Sequence, residues 1–192
     1  MKPATSRPPT PWHQDEAFRD PCYDYREVSV WLALQPVNRQ NGCMEFISGS
    51  NRGDLLPHRP LGGDPTVHAL ECYTGFDPAM AVPCPLPAGG CTIHTGRTLH
   101  YAGPNVSGQA RYAYVLIFSA PPVPAREVRS FPWLAARDTR HEQRARAWRA
   151  QGGLGVETVR WMRKLDFGDR DWLSYEVGRA ISAAKRRLRP QR

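Results

Sequence analysis

Proline is concentrated in the first two thirds of the chain, where 17 of the 19 prolines lie before residue 125. Proline cannot donate a backbone hydrogen bond and is excluded from helix interiors and central strands, so this region must consist of short segments separated by turns. Runs of β-branched and aromatic residues between the prolines predict strands over residues 28–34, 43–47, 67–72, 90–94 and 112–119, the last of them buried. Short strands at such spacing favour a mainly β fold, an antiparallel sandwich or barrel.

The charge is divided unevenly along the chain. Residues 1–125 contain 9 of the 26 Lys and Arg residues and 10 of the 18 Asp and Glu residues, so the net charge of +8 comes from residues 126–192. This second part is poor in proline, and its composition and apolar spacing predict helices over residues 135–150, 156–165 and 172–188. We therefore predict a β core over residues 1–125 followed by a basic helical extension over residues 126–192.

The cysteines and the apolar segments indicate a cellular location. Five cysteines without a CxxC pair favour free thiols in a reducing compartment over a disulfide framework or a zinc site. No apolar run reaches the ~18–20 residues of a membrane span, and the first eleven residues have no apolar segment typical of a signal peptide. The expected location is the cytoplasm.

The first chemical motif is a histidine and an aspartate two residues apart, His13 and Asp15 in WHQD. On an extended strand both side chains point to the same face. Imidazole and carboxylate, completed by a second histidine, form the facial triad that binds iron(II) and leaves coordination positions open. The pair alone is a weak signal, because a polar strand end explains it equally well.

The second motif is HTGRTLHYAGPN, which contains His94 and His100, and Arg111 follows at the head of the strand predicted over residues 112–119. His100 lies 87 residues after His13, so a site containing both would be assembled by the fold. A guanidinium at the start of a buried strand is costly without an anion, and a carboxylate bound through two hydrogen bonds is its best partner.

Other histidines and polar loop residues have simpler explanations. His58 and His68 are expected to be structural, although His58 could line the mouth of a cavity. His94, at the end of the strand predicted over residues 90–94, could face the cavity, but an ordinary packed or surface histidine is the favoured interpretation. Arg97 and Asn105 flank His100 on loops, where contact with a substrate and an ordinary loop role explain them equally well.

Five ordered segments carry a family resemblance: PWHQD, VSVWLALQPVNRQNGCMEFISGSNR, LLPHR, PAGGCTIHTGRTLHYAGPN and RYAYVLIF. Together they resemble the phytanoyl-CoA dioxygenase family, a branch of the iron(II)- and 2-oxoglutarate-dependent oxygenases. The resemblance implies a double-stranded β-helix, or jelly roll, in which His13, Asp15 and His100 bind iron(II). It also implies that Arg111 pairs with the distal carboxylate of 2-oxoglutarate and that Trp31 lies near this co-substrate.

The chain departs from the family pattern in two places. Ala102 stands where the family commonly has a serine that helps to hold the co-substrate. Relatives carry a long segment before the HxD motif, whereas twelve residues precede His13 here, so the resemblance implies a jelly roll that is incomplete at its N-terminus. An unpaired sheet edge, an uncovered apolar face and self-association are then expected. Aspartate at position 15 disfavours the halogenase variant of such sites, in which a small residue replaces the carboxylate.

The activity that the resemblance implies is hydroxylation of an aliphatic C–H bond in a small molecule, with O2 and 2-oxoglutarate consumed and succinate and CO2 released. Two alternatives stay open: a catalytically silent jelly roll that serves as a binding module, and a binder of an anionic polymer through the basic extension. Nucleic acid is the less favoured partner, because acidic residues are interleaved with arginine in the extension and no recognised nucleic-acid motif accompanies it.

Overall fold

The structure is a computed structural model that describes residues 1–150, and it consists mainly of short antiparallel strands. Five 3-10 turns connect them, at Asp15–Phe18, Arg39–Asn41, Ser50–Arg52, Leu61–Gly63 and Pro78–Met80. The strands and helices are β1 (Thr10–His13), β2 (Tyr23–Asp24), β3 (Glu27–Ala33), β4 (Met44–Ile47), β5 (His58–Pro60), β6 (Leu70–Cys72), β7 (Ala81–Cys84), β8 (Cys91–Thr95), β9 (His100–Ala102), β10 (Ala113–Ser119), β11 (Val123–Pro124), α1 (Pro132–Ala135) and α2 (Arg140–Ala150).

The strands form two main sheets. The larger has the order β1-β9-β4-β7 and the smaller the order β10-β3-β8, while β11 with β2 and β5 with β6 make two short ribbons. The predicted mainly β fold is confirmed, and each of the five predicted strands is present, although the segment predicted over residues 67–72 narrows to β6. None of the helices in this part of the chain is long and apolar enough to cross a membrane.

A cluster of buried side chains joins the two main sheets. It contains Trp31 and Ala33 from β3, Met44 from β4 and Ala102 from β9. The buried positions of β3 recur at Ser29, Trp31 and Ala33, as the two-residue period of a strand requires. Removing the largest of these side chains, by Trp31→Ala, would cost about 3–5 kcal/mol of folding free energy.

The predicted turn at Asn41 and Gly42 is present and holds β4 beside β9. Asn38 caps the 3-10 turn Arg39–Asn41 through its side chain, and Gly42 follows with φ of 78°. A Cβ at position 42 would lie 2.5 Å from the carbonyl oxygen of Gly103. Glycine is therefore required at position 42 both by the left-handed backbone and by the close approach of the chain after β9.

A second buried cluster attaches the segment after the last strand to the sheets. Phe131 and Trp133 pack with Ala17 and Leu70, and Trp133 Nε1 donates a 2.8 Å hydrogen bond to the carbonyl oxygen of Ala17. Contacts group residues 1–137 into one compact unit, and a second begins at Asp138. The predicted division into a core over residues 1–125 and a basic extension stays a prediction.

The helix predicted over residues 135–150 is observed as α2, which begins at Arg140. The helices predicted over residues 156–165 and 172–188 lie outside the described residues.

The prediction that residues 112–119 form a buried strand is wrong in one respect. The strand forms as β10, but Tyr114, Val115, Ile117 and Phe118 are each 54–57% exposed and Leu116 is 37% exposed. β10 has β3 as its neighbour and lies at the edge of its sheet in the described part of the chain. An uninterrupted apolar run is compatible with a central strand and with an edge strand, and the fold rather than the run decides between them.

Candidate active site

Two paired strands bring the predicted metal ligands together. His13 ends β1, His100 begins β9, and the two are cross-strand partners with ring centroids 4.1 Å apart. Gln14 has an extended backbone, so Asp15 projects to the same side as His13. Asp15 Oδ1 lies 3.5 Å from His13 Nε2 and 3.8 Å from His100 Nε2. One ligand atom from each of the three residues lies within 4.8 Å of the other two.

Backbone carbonyls fix which nitrogen of each imidazole faces this cluster. His13 Nδ1 lies 2.7 Å from the oxygen of Pro11, and His100 Nδ1 lies 2.8 Å from the oxygen of Thr98. A carbonyl oxygen can only accept, so each Nδ1 carries the proton and donates it. In the neutral ring Nε2 then holds the lone pair, and on both histidines it is Nε2 that faces Asp15. Hydrogen bonds of this kind orient histidine ligands in metal sites.

Burial and charge set the protonation states that a metal requires. Burial lowers the pKa of His100 to about 3, with a smaller contribution from His13. Burial alone would raise the pKa of Asp15, but its interactions with His13 and His94 and the charge of His100 outweigh burial and hold that pKa well below its usual range. At neutral pH the site therefore offers a neutral imidazole and an ionised carboxylate. Two histidines and one carboxylate with open positions fit iron(II).

Gln14, the residue between the first two ligands, forms hydrogen bonds that fix the backbone between them. Gln14 is fully buried, its Nε2 donates to the oxygen of Arg97 at 2.7 Å, and its Oε1 accepts from the backbone nitrogen of Leu56 at 2.8 Å. Its own backbone nitrogen donates to His58 Nε2 at 3.1 Å, while His58 Nδ1 donates to the oxygen of Leu56 at 2.7 Å. Both ring nitrogens of His58 are thus occupied, in agreement with its expected structural role.

Arg97 and Asn105 also have structural partners. Arg97 donates two hydrogen bonds to the carboxylate of Glu16, at 2.9 and 3.2 Å. Asn105 is fully buried, and its Nδ2 donates to the backbone oxygens of Lys2 and Pro3 at 3.2 and 2.9 Å. Of the two explanations left open by the sequence, these contacts favour the structural one for both residues.

Two residues that the sequence did not assign to the site lie against Asp15. Ser29 Oγ donates to Asp15 Oδ2 at 3.0 Å. An ordinary packed or surface histidine was the favoured interpretation of His94, but the less favoured one, that it faces the cavity, agrees with the structure: its Nε2 lies 3.8 Å from Asp15 Oδ2 and its ring lies 4.5 Å from that of His100. For Ser29, the sequence held one signal of its place in the site: the two-residue period of β3 puts Ser29 on the same face as Trp31.

The cluster opens into a cavity of about 310 Å³ that also contains the predicted co-substrate residues. Arg111 is 6% exposed, and its guanidinium carbon lies 5.0 Å from the centre of the Trp31 ring. Burial lowers the pKa of Arg111. The structure thus places His13, Asp15, His100, Arg111 and Trp31 around one cavity.

A two-sheet β body that carries a His-Asp-His cluster beside a buried arginine defines a class: the jelly-roll fold of the non-haem iron, 2-oxoglutarate-dependent oxygenases. Within that class, the phytanoyl-CoA dioxygenase (PhyH) family model matches residues 1–113, and the chain belongs to this family.

Curated relatives match the same part of the chain. Phytanoyl-CoA dioxygenase domain-containing protein 1 of Danio rerio is 30% identical over 105 residues, which are 53% of this chain and 36% of that protein. A protein of Stutzerimonas stutzeri named "Probable alpha-ketoglutarate-dependent hypophosphite dioxygenase" is 30% identical over 115 residues, 58% of this chain and 40% of that protein. The match therefore spans well under half the length of these relatives.

Solved structures support the jelly-roll fold. EvdO2 from Micromonospora carbonacea var. aurantiaca, solved in complex with 2-oxoglutarate, is 41% identical with a TM-score of 0.66, over 71% of this chain and 54% of that one. The non-heme monooxygenase ThoJ is 26% identical with a TM-score of 0.51, over 68% of this chain and 52% of that one. The predicted fold class is confirmed.

Proposed function

We propose that this chain is the iron(II)- and 2-oxoglutarate-binding part of a dioxygenase that hydroxylates an aliphatic C–H bond of a small molecule. The observation that carries the proposal is the single cavity that the His-Asp-His cluster and Arg111 share. Family membership supports the reaction class, and the complex of EvdO2 with 2-oxoglutarate supports the co-substrate.

His13, Asp15 and His100 would hold iron(II) through two nitrogens and one carboxylate oxygen. Three protein ligands leave coordination positions open for the co-substrate and O2. When bound, the iron supplies the oxygen chemistry of the class, in which 2-oxoglutarate is converted to succinate and CO2. Ser29 holds the carboxylate of Asp15 in place from the side of β3.

Arg111 would bind the distal carboxylate of 2-oxoglutarate. Its guanidinium is buried over Trp31, and its Nε has no hydrogen-bond partner among the described residues. A planar guanidinium can donate two parallel hydrogen bonds to a carboxylate, which fixes direction as well as affinity. Arg111 thereby orients the other end of the co-substrate toward the metal ligands in the same cavity.

The remaining wall of the cavity favours an apolar part of a small substrate. Met44, Val115 and Ile117 contribute apolar side chains to it, so an aliphatic part of a substrate in this cavity would lie against them. The five cysteines support a reducing cytoplasm as the location. The alternative of anionic-polymer binding depends largely on residues 151–192, which lie outside the described residues.

Anaerobic titration of the purified chain with iron(II) and then 2-oxoglutarate tests the proposal. We expect about one iron(II) per chain and a visible charge-transfer absorption when 2-oxoglutarate chelates the metal, followed by succinate release on exposure to O2. His68→Ala is the matched control, because His68 is an exposed histidine that does not line the cavity. Absence of the absorption in the parent chain under saturating metal would overturn the proposal.

A further inference from the structure

Lys2 and Arg111 lie directly opposite each other in an antiparallel bridge. The backbone nitrogen of each donates to the backbone oxygen of the other, and both hydrogen bonds are 2.8 Å long. In a pair that exchanges both backbone hydrogen bonds, the two side chains project from the same face. Like charges placed opposite each other in this way repel and destabilise the strand pair. An anion bound by both cations would therefore relieve this repulsion.

Burial raises the cost of leaving these two charges without an anion. Lys2 is 8% exposed, Arg111 is 6% exposed, and both line the cavity that contains the metal cluster. Neither forms an ion pair with a carboxylate among residues 1–150. Asp15 is the one carboxylate among the described residues that line the cavity, and it already interacts with Ser29 and the histidines. Burial, and then the charge of Arg111, lower the pKa of Lys2 to about 8.

Both cations keep hydrogen-bond donors that have no partner among the described residues. Lys2 Nζ donates to the carbonyl oxygen of Ala102 at 2.8 Å and to that of Gly103. An ammonium group has three protons, so one remains. Arg111 Nε is buried and has no hydrogen-bond partner in the described part of the chain. The pair thus offers charge and unfilled donors to the same ligand.

The position of Lys2 is fixed by its neighbours. Asn105 Nδ2 donates to the backbone oxygens of Lys2 and Pro3, and Asn105 is itself fully buried. The carbonyls of Ala102 and Gly103, directly after β9, then hold the ammonium group. Three buried hydrogen bonds, besides the pairing with Arg111, therefore hold Lys2 in the wall of the cavity.

We propose that Lys2 is a second cation for the co-substrate: its ammonium and the guanidinium of Arg111 together bind the distal carboxylate of 2-oxoglutarate. The inference rests on the proposed function and deepens it, because it makes Lys2 a determinant of specificity for 2-oxo acids that carry a second carboxylate. Such a carboxylate neutralises the repulsion between the two cations and accepts their free donors through charge-assisted hydrogen bonds.

The test compares two ligands in two variants. Dissociation constants of 2-oxoglutarate and of 2-oxopentanoate, which has the same chain length but no distal carboxylate, are measured anaerobically by calorimetry with iron(II) bound. The variants are Lys2→Met, which keeps the length of the side chain, and Lys2→Gln, which keeps a donor for the two carbonyls. Arg7→Gln removes a charge from an exposed position of the same segment and is the matched control.

We expect both Lys2 variants to bind 2-oxoglutarate roughly tenfold or more weakly, the effect of losing one charge-assisted hydrogen bond. Binding of 2-oxopentanoate should change little, so the preference for 2-oxoglutarate falls by about the same factor, whereas damage to the fold would weaken both ligands alike. An unchanged preference in both variants would overturn the role of Lys2 and leave the proposed function intact. A parent chain that fails to bind 2-oxoglutarate with iron(II) present would overturn both.

Discussion

His13 and His100 are cross-strand partners on β1 and β9, and their imidazole rings lie 4.1 Å apart although 87 residues separate them in the chain. The proposed metal site therefore forms only when β1 pairs with β9. A ligand that binds the folded chain and not the unfolded one stabilises the fold by mass action. Metal binding therefore stabilises the pairing of these two strands. A variant that cannot bind the metal should show no metal-induced stabilisation of the fold.

Replacement of either histidine should remove metal binding. His13→Ala and His100→Ala each delete one of three ligands, so we expect iron(II) affinity to fall by at least a hundredfold and the metal-induced rise in Tm to disappear. Calorimetry and thermal unfolding with and without iron(II) measure the two effects. His68→Ala should bind iron(II) as the parent does. Normal metal content in both ligand variants would contradict the assignment.

Removal of the hydroxyl that holds Asp15 should weaken the site without abolishing it. Ser29→Ala deletes the 3.0 Å hydrogen bond to Asp15 Oδ2 while keeping all three ligands. Loss of an outer hydrogen bond to a metal ligand typically lowers affinity about 10–100-fold, and we expect a value near the lower end. Thr92→Val is a suitable comparison, because Thr92 lies on the neighbouring strand β8 and does not line the cavity. Equal iron(II) affinity in Ser29→Ala and the parent would show that Ser29 does not position Asp15.

Arg111→Ala should separate co-substrate binding from metal binding. The substitution removes the guanidinium over Trp31 and no metal ligand, so iron(II) content should stay near one per chain while 2-oxoglutarate binding falls by about a hundredfold or more. Titration of the iron-loaded variant with 2-oxoglutarate measures this. The same co-substrate affinity in variant and parent would refute the role of Arg111.

His58 should make the fold sensitive to mild acid. Burial lowers its pKa to about 4, below the ~6.5 of an unfolded chain. The unfolded state therefore binds the proton more readily, so the stabilisation is complete above about pH 6.5 and is lost as the pH falls toward 4. Between pH 6.5 and 5 the parent should lose about 1.5 kcal/mol more unfolding free energy than His58→Gln.

Urea unfolding of the metal-free chain at several pH values checks this difference. Asp15 and His100 titrate in both proteins, so their contributions cancel in the comparison. Parallel pH profiles for the parent and His58→Gln would contradict the linkage.

The sequence identified residues whose chemical type and spacing are distinctive. His13, Asp15 and His100 combine metal-ligand chemistry with family motifs, and Arg111 is a charge at the head of an apolar strand. The structure brings these four residues around one cavity. Metal binding and co-substrate binding by them stay predictions until they are measured.

The residues that the sequence missed act through contacts that depend on how the strands assemble, which the two-residue period of a single strand does not show. Lys2 meets the carbonyl of Ala102, 100 residues away, and Ser29 is one hydroxyl among several until β3 places it beside Asp15. His94 could not be separated from a packed histidine, since its closeness to Asp15 depends on how β8 pairs with β3. The same limit applies to the exposure of β10, which depends on what covers the sheet rather than on the apolar run itself.

The outer face of the β10-β3-β8 sheet should cause the isolated chain to self-associate. Tyr114, Leu116 and Phe118 alternate along β10 and are 37–57% exposed, and the strand lies at the edge of its sheet in the described part of the chain. An exposed apolar edge strand favours pairing with a second copy, because its backbone donors and acceptors and its side chains both find partners there.

We expect light scattering to report dimers or larger species at micromolar concentration. Leu116→Lys with Phe118→Lys should shift the chain to monomer, since charges on an edge strand oppose such pairing. Val106→Lys with Val128→Lys adds the same charge at exposed positions outside this strand and should leave association unchanged. A monomeric parent, or equal dissociation by both pairs of substitutions, would show that β10 does not carry the association.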